Sequence, residues 1–431
     1  MADEIRALAY TVLERCAAAG SYANLALDHT IKRHALTGVD RAFFTTLVYG
    51  TMEKQITIDY LLAQRVNRTY AGVDGKVKTI LRLGAYQILF LDRVPDHAAC
   101  NESVELAKKY AKHSASFVNG VLRSLAREKD ALVLPPRDGD FALFLSVTYS
   151  APIWLCNLWC THYGKEKTEA ILRAMATPPP ITLSVNTLKI TRAALLLDLA
   201  AEGINAVPAD NERGIILPPR LAVSDLVALA DGRAFVEDLA SQAVVAALDA
   251  QPGDVVADVC ACPGGKSFGT AIRMENVGVV ESFDLHQSKL SLVESGAARL
   301  GITILTAAVR DGAKADPARA ARYDRVLCDV PCSGLGVLAK KPDLRHKAEA
   351  DIARLPEIQR NILATSADLV KVGGVLVYAT CTLHPRENEE NVAAFLAARP
   401  DFNMVETRTF FPDTDHTDGF FYAKFVRTEN K

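Results

Sequence analysis

From residue 236 onward the chain alternates short apolar runs with helical stretches, and this alternation limits the folds that it can adopt. The apolar runs lie at 254–259, 278–284, 302–308, 324–329 and 374–380, and the clearest helical stretches lie at 286–300 and 351–371. Continuous apolar runs that are linked by crossover helices are typical of buried parallel strands. We therefore predict an α/β domain over 236–431, with a further strand at 419–426.

The remainder of the chain has different periodicities. Residues 1–136 show helical stripes, the first of them formed by Ile5, Leu8 and Val12, and this pattern predicts an all-α domain. The segment 137–235 mixes helical runs with short strand-like runs and is typical of a small α+β unit. A length of 431 residues fits these three domains, since single domains commonly run to roughly 100–200 residues.

Composition excludes several classes of protein. A hydrophobic content of 49% and a charged content of 23% exclude a disordered or fibrous chain. The nine cysteines are too sparse for a disulfide scaffold, and we find neither a secretory signal nor a membrane span. We expect a cytoplasmic protein with reduced thiols and no membrane partner. The net charge of −2 divides into +4 for residues 1–130, which hold 18 Lys/Arg and 14 Asp/Glu, and −6 for the rest.

Polar groups follow the successive strands of the predicted α/β domain. The first strand ends at Asp258 and leads into a glycine-rich turn, Cys260–Lys266, whose spacing matches neither a GxGxxG motif nor a P-loop. Asp284 ends the second strand, Asp311 follows the third, and Asp329 ends the fourth. Parallel strands bring these positions to one edge, where α/β sheets bind ligands, and an acid placed like Asp284 commonly holds a ribose diol. The pattern predicts a nucleotide-type cofactor.

Two thiols follow the fourth and fifth strands. Cys332 lies in a Pro-Cys-Ser-Gly loop and Cys381 in a Thr-Cys-Thr loop, and the cysteine spacings fit no zinc signature, so we expect no metal. A thiolate that adds to C6 of a pyrimidine makes C5 nucleophilic toward a methyl donor, and a base must then remove the C5 proton before the thiol leaves. Cys381, Cys332 and Asp329 supply the groups for this chemistry, although residue types alone leave open which thiol attacks.

At these residues the chain resembles the RsmB (Sun/Fmu) family of 16S rRNA (cytosine-5)-methyltransferases. The matching segments are DVCACPGGKS, SFDLHQSKL, VRDGA, DVPCSGLGVLAKKPDLR, YATCTLHPRENEENV and DGFFYAKF. Residues 3–130 resemble the helical RNA-binding domain of the antitermination factor NusB, through VDRAFFTTLVYGTM, LRLGAYQILFLDRVPDHAACNESVELAK and FVNGVLR. The resemblance thus covers essentially the whole chain.

The resemblance implies a fold and a cofactor. It implies a NusB-like helical domain over 1–136, a small α+β subdomain over 137–235, and a Rossmann-like class I S-adenosylmethionine-dependent methyltransferase domain over 236–431. The cofactor would lie against Asp284 at its ribose, Asp311 at its adenine, Asp329, and the residues of the first turn, which are Cys260, Ala261, Cys262, Pro263, Gly264, Gly265 and Lys266. Cys262 departs from the family pattern, which usually has Ala there.

The resemblance also implies roles for the catalytic residues. Cys381 would attack C6, Cys332 would assist product release, and Asp329 would pair with the cytosine edge. DNA cytosine-5 enzymes instead attack with the thiol of the proline-cysteine pair, which corresponds to Cys332, and this is the main mechanistic alternative. Two functional alternatives remain: a non-catalytic RNA-binding factor, suggested by the NusB-like domain, and a tRNA methyltransferase.

The implied partner is 16S rRNA, either naked or in an early small-subunit particle, and we expect a monomer. Basic clusters must supply the phosphate contacts because the net charge does not. Lys340, Lys341 and Arg345 follow the Cys332 loop, and we predict that they contact RNA. A second cluster, late in the helical domain, is as compatible with a solvated helix face as with RNA binding.

Overall fold

The protein is described by a computed structural model over residues 2–19, 23–66, 69–219, 221, 223 and 226–429. The chain divides into two compact units. The first comprises residues 1–176 together with 340–349, and the second comprises 177–339 together with 350–431.

The first unit is helical. Apolar residues at helical spacing face its core, which includes Phe44, Leu47 and Val48, and Asp74 caps one helix by accepting hydrogen bonds from the backbone of Lys76 and Val77. The all-α prediction for residues 1–136 is confirmed. Its helices are α1 (Ala2–Ala19), α2 (Ala23–Arg33), α3 (Gly38–Glu53), α4 (Gln55–Ala63), α5 (Gly75–Phe90), α6 (Asp96–Tyr110), α7 (Ala115–Arg127), α8 (Phe141–Tyr149), α9 (Ile153–Tyr163) and α10 (Lys165–Ala174).

The first unit also contains the segment 340–349, which includes a 3-10 turn at Pro342–His346. Arg345 in this turn is 2% exposed, so the predicted phosphate contact is wrong for this residue. Its guanidinium donates to the backbone carbonyls of Tyr149 at 2.9 Å, Ser150 at 3.2 Å and Met175 at 3.1 Å. These bonds pair the two terminal nitrogens of a buried cation and tie 340–349 to α8 and α10.

We expect Arg345→Met to lower the free energy of unfolding by about 3 kcal/mol, because it leaves buried carbonyls without donors. Denaturant titration followed by circular dichroism measures this loss. Lys341→Met is the matched control, since Lys341 lies on the same segment and is exposed. An Arg345→Met variant no less stable than the control would contradict the structural role of Arg345.

The second unit begins with a small antiparallel sheet in the order β2-β3-β1-β4. Leu183, Leu195 and Ile215 belong to the apolar core that this sheet forms with its helices. A small α+β unit is confirmed here, whereas residues 137–176, predicted as its first part, are helical and belong to the first unit. The elements are β1 (Thr182–Val185), α11 (Arg192–Ala201), β2 (Val207–Pro208), β3 (Gly214–Ile216), α12 (Val227–Ala230) and β4 (Ala234–Val236).

A larger sheet follows, in the order β10-β11-β9-β8-β5-β6-β7. Strands β9, β8, β5, β6 and β7 are parallel neighbours, whereas β11 is antiparallel to β9 and to β10. The predicted parallel α/β fold is confirmed. The elements are α13 (Leu239–Leu248), β5 (Val255–Asp258), α14 (Gly265–Arg273), β6 (Val279–Asp284), α15 (Gln287–Leu300), β7 (Leu305–Val309), β8 (Tyr323–Asp329), α16 (Glu349–Ile352), α17 (Leu355–Leu369), β9 (Val370–Thr380), α18 (Glu389–Ala398), β10 (Phe402–Phe410) and β11 (Phe420–Arg427).

Strand β10 is absent from the sequence prediction. It pairs with β11 at the edge of the sheet, and Phe402 and Phe410 at its two ends are its buried residues. A strand with exposed residues between its ends has no apolar run by which to recognise it. Within the described ranges, no helix has both the length and the apolar character that crossing a membrane requires.

Candidate active site

The carboxyl ends of the parallel strands bring the predicted site residues to one edge of the larger sheet. β6 ends at Asp284, β8 at Asp329 and β9 at Thr380, one residue before Cys381. In the parallel register Asp329 lies opposite Ala379, so the ends of β8 and β9 are level. This edge therefore holds acidic and thiol side chains from strands that are distant in sequence.

The turn after β5 is held by its backbone. The amide of Ala261 donates to the carbonyl of Phe283 in β6 at 2.8 Å. Gly264 has a φ of +115°, and a Cβ at this position would lie 2.4 Å from the ring of Phe268, so a side chain is excluded there. Helix α14 begins at the next residue, with its free backbone N–H groups at this edge of the sheet.

Asp258 anchors this turn from inside the protein. The hydroxyl of Ser267 donates to its Oδ2 at 2.6 Å, and the amide of Cys260 donates to its Oδ1 at 3.4 Å. Ser282 in β6 donates in turn to Ser267 at 2.9 Å. Burial raises the pKa of Asp258 to about 7, against the lowering effect of the Ser267 hydrogen bond. The acid, the turn and the first turn of α14 thus form one connected network.

Lys266 joins the turn to the end of β8. Its Nζ lies 2.7 Å from Oδ2 of Asp329, and its side chain is only 14% exposed. Burial alone lowers the pKa of Lys266, but Asp329, then Glu237 and Cys381, raise it overall. Lys266 therefore stays protonated and positively charged, with an acid and a thiol near it.

Glu237 is a site residue that the sequence prediction missed. It is 6% exposed, and a Cβ placed on Gly265 would lie 3.4 Å from its Oε1. Burial raises its pKa to about 7, against the lowering effects of Lys266 and Arg213. The signal that the sequence offered was an acid directly after the apolar run of β4. A turn at this position does not need an acidic residue.

The two predicted catalytic thiols are in contact. Sγ of Cys332 lies 3.0 Å from Sγ of Cys381, although 49 residues separate them in sequence. The pKa of Cys332 is raised well above its ordinary value by the hydrogen bond with Cys381, by burial, and by the charges of Cys381 and Glu387. At this distance one cysteine can keep its proton and donate a hydrogen bond to the other cysteine when that one is ionised to a thiolate.

The other cysteines near the site are less suited to attack. Burial raises the pKa of Cys260 well above its ordinary value, and that of Cys328 to about 12. Burial and then Asp284 raise the pKa of Cys262 to about 12. A raised pKa leaves little thiolate near neutral pH. Among the described residues, no group of three or more His, Cys, Asp and Glu side chains could hold a metal ion.

Asp284 and Asp311 also shape the turns after their strands. Oδ1 of Asp284 accepts from the amide of His286 at 2.9 Å, and Oδ1 of Asp311 accepts from the amide of Ala313 at 3.1 Å. Oδ2 of Asp311 lies 3.3 Å from Nζ of Lys314. Each carboxylate thus uses one oxygen for a local turn. Both stay predictions as cofactor contacts.

Three family models match the chain in succession. Residues 3–127 match the NusB family, residues 151–224 match the ferredoxin-like domain of RsmF/B-like methyltransferases, and residues 245–426 match the 16S rRNA methyltransferase RsmB/F. A Bacillus subtilis protein, "Probable ribosomal RNA small subunit methyltransferase B", is 41% identical over 92% of this chain and 89% of its own length. The chain belongs to the RsmB/F family of small-subunit rRNA methyltransferases.

Two further proteins are similar to nearly the whole chain. A Synechocystis protein, also named "Probable ribosomal RNA small subunit methyltransferase B", is 35% identical over 98% of this chain and 99% of its own length. The crystal structure of PH0851 superposes with a TM-score of 0.83 at 26% identity, covering 99% of this chain and 98% of that one. The family match therefore extends over the helical, ferredoxin-like and methyltransferase regions together.

Ser267→Ala should destabilise this RsmB/F protein by about 1–3 kcal/mol, because the buried Asp258 carboxyl loses its hydroxyl donor. The lost hydrogen bond favours the ionised carboxylate, so the loss should be larger at pH 8 than at pH 6. Denaturant titrations at the two pH values measure it. Ser282→Ala, which leaves the bond between Ser267 and Asp258 intact, is the control, and equal losses at both pH values would contradict this role of Asp258.

Proposed function

We propose that this rRNA methyltransferase methylates C5 of a cytidine in 16S rRNA through a covalent bond between Sγ of Cys381 and C6 of the base. The observation that carries the proposal is the contact of two thiols, Cys381 and Cys332, together with the Lys266–Asp329 ion pair, whose lysine interacts with Cys381. A nucleophile, a second proton-carrying group and a hydrogen-bonding acid are the groups that C5 methylation of cytosine needs.

The methyl donor is S-adenosylmethionine, which supplies an electrophilic methyl group on its sulfonium sulfur when bound. The glycine-rich turn after β5 fits such a ligand, because Gly264 and Gly265 allow a close approach to the backbone and α14 begins there. In our proposal the residues Cys260–Lys266 line this pocket, Asp284 holds the ribose hydroxyls and Asp311 faces the adenine. The position of Asp284 at the end of β6 supports the ribose contact.

Cys381 adds to C6 as a thiolate, the π pair of the C5–C6 bond forms a C4–C5 double bond, and the π pair of the N3–C4 bond moves onto N3, which makes C5 an enamine-type nucleophile. Asp329 holds the base by accepting a hydrogen bond from its amino group, and Lys266 holds Asp329. C5 would then take the methyl group of the bound sulfonium donor, which would leave as a neutral thioether. A base removes the C5 proton, the electron pair of the C5–H bond re-forms the C5–C6 double bond, and the Sγ–C6 bond breaks to release the Cys381 thiolate, with Cys332 assisting release. The target cytidine must leave its stack to reach these groups, which costs a few kcal/mol.

Cys381→Ala should abolish transfer of tritiated methyl groups from S-adenosylmethionine to unmodified 16S rRNA, because the nucleophile is lost. Cys332→Ala should instead leave protein trapped covalently on the RNA, since release is impaired. Scintillation counting measures the transfer, and a mobility shift on a denaturing gel that nuclease reverses measures the trapped species.

Cys328→Ala is the control for this experiment, because Cys328 is a buried thiol of β8, the strand that precedes the Cys332 loop, and its loss should leave both readouts unchanged. Digestion of the labelled RNA to nucleosides identifies the methylated position, and a product other than 5-methylcytidine would refute the proposal. Label transfer that persists in Cys381→Ala, with trapping in that variant, would assign the attack to Cys332.

Lys340 and Lys341 are exposed, and we propose that they contact phosphates of the RNA. The double reversal Lys340→Glu and Lys341→Glu should weaken binding and lower the slope of log K against log salt by about one to two, because fewer counterions are released. Fluorescence anisotropy at several salt concentrations measures the slope. Reversal of Lys76 and Lys165, two other exposed lysines, is the charge-matched control, and a slope equal to the control's would contradict the contact.

A further inference from the structure

The turn at 385–388, which precedes α18, holds the loop of Cys332. Oε2 of Glu387 accepts from the amide of Ser333 at 2.9 Å and from Nε2 of Gln359 at 2.7 Å. Gln359 also donates to the carbonyl of Pro331 at 3.0 Å. Pro331 and Ser333 are the residues on either side of Cys332, and Glu387 is only 1% exposed. A buried carboxyl group therefore lies directly beside the Cys332 loop.

The same turn holds the loop of Cys381. Oδ1 of Asn388 accepts from the hydroxyl of Thr380 at 2.6 Å, and Nδ2 of Asn388 donates to the carbonyl of Thr382 at 2.9 Å. The hydroxyls of Ser333 and Thr382 are 2.7 Å apart and join the two loops directly. The amide of Gly336 donates to the carbonyl of Cys381 itself at 3.1 Å. The neighbours of both thiols are thus fixed by Glu387, Asn388 and the bonds between the loops.

The charges around the two thiols are opposite in sign. Behind the hydrogen bond with Cys381, burial and the charge of Cys381, the charge of Glu387 also raises the pKa of Cys332. Lys266 interacts with Cys381, so its positive charge favours the Cys381 thiolate. Tyr378 also lies near Cys332, and burial raises its pKa, which keeps it neutral. Asp329 partly offsets the charge of Lys266.

We propose that Glu387 is a positioning residue that holds the two thiols in contact and places negative charge beside Cys332, so that Cys381 is the thiol that ionises. What Cys381 then attacks rests on the proposed function. Across the 3.0 Å contact either thiol could be the donor, and in our proposal Cys332 keeps its proton and donates to the Cys381 thiolate. The same S–H group lies beside Sγ of Cys381 when the bond to C6 breaks, and a hydrogen bond to the departing thiolate is how Cys332 assists release.

Ionisation of Cys332 in place of Cys381 is electrostatically unfavourable. A thiolate at Cys332 would lie in a buried region beside the carboxylate of Glu387, and like charges in a low-dielectric environment disfavour ionisation. The Cys381 thiolate has the opposite environment, since Lys266 is its charged neighbour. The charge of Glu387 therefore disfavours attack by the thiol of the proline-cysteine pair.

The direct test measures ionisation of Cys332 without its partner thiol. In a Cys381→Ser background, the rate of Cys332 alkylation by iodoacetamide is followed against pH by mass spectrometry. Adding Glu387→Gln should lower the midpoint by about one pH unit or more, because the carboxylate charge is removed and the side-chain shape is kept. Ser333→Ala is the matched control, since it breaks the bond to Thr382 but keeps the charge of Glu387. A midpoint that does not move in Glu387→Gln, or that moves equally in Ser333→Ala, overturns the proposal.

A measurement on the wild-type chain keeps the proposal testable even if Glu387→Gln does not fold. Cys381 should be alkylated at lower pH than Cys332, and the reverse order overturns the proposal. In methylation assays Glu387→Gln should lower kcat and leave KM for S-adenosylmethionine unchanged, with partial recovery in Glu387→Asp. Alkylation requires no RNA, so a failure of cytosine methylation and a failure of this role of Glu387 are distinguishable.

Discussion

The ammonium group of Lys266 is the buried charge on which the arrangement of the site depends. A cation removed from water is costly unless it is paired, and the residual cost is several kcal/mol for each ion. Lys266 meets this requirement with Asp329 at 2.7 Å and with Glu237 and Cys381 nearby. Because these partners come from β8, from the residue after β4 and from the loop after β9, pairing one cation fixes three parts of the second unit relative to the turn after β5.

Two of the acids near this cation have pKa values close to neutrality. Burial raises the pKa of Glu237 and of Asp258 to about 7, from ordinary values of 4.5 and 3.8. A carboxyl group whose pKa rises on folding binds its proton more tightly in the folded state, so both groups cost stability as the pH rises from about 4 through 7. The same ionisation adds negative charge near Lys266. Glu237 and Asp258 therefore weaken the fold as they ionise. The site nevertheless contains them, because Glu237 holds the cation Lys266 and Asp258 holds the turn after β5.

The pattern of apolar runs was sufficient to predict the parallel sheet, and the ends of those runs predicted which residues would meet at its edge. Glu237 and Glu387 could not be found in this way, because their importance lies in burial and in hydrogen bonds with residues distant in sequence, such as Ser333. The prediction that Arg345 contacts RNA is wrong for a related reason, since a basic residue is normally exposed. Arg345 can be buried because three backbone carbonyls, in α8 or just beyond α8 and α10, accept hydrogen bonds from it. These carbonyls are distant in sequence, so no local pattern indicates them.

Cys332 and Cys381 illustrate the same limit at the level of mechanism. Each thiol follows the end of a parallel strand in a short polar loop, so the local sequence gives them equivalent positions. The fold makes them different, because the turn before α18 puts a carboxylate beside one, and α14 puts an ammonium group near the other. Two identical groups 3.0 Å apart can share a proton in either direction, and the surrounding charges determine which direction is favoured. In our proposal the assignment of Cys381 as nucleophile and Cys332 as helper therefore rests on the buried charges of Glu387 and Lys266 and not on the cysteine motifs themselves.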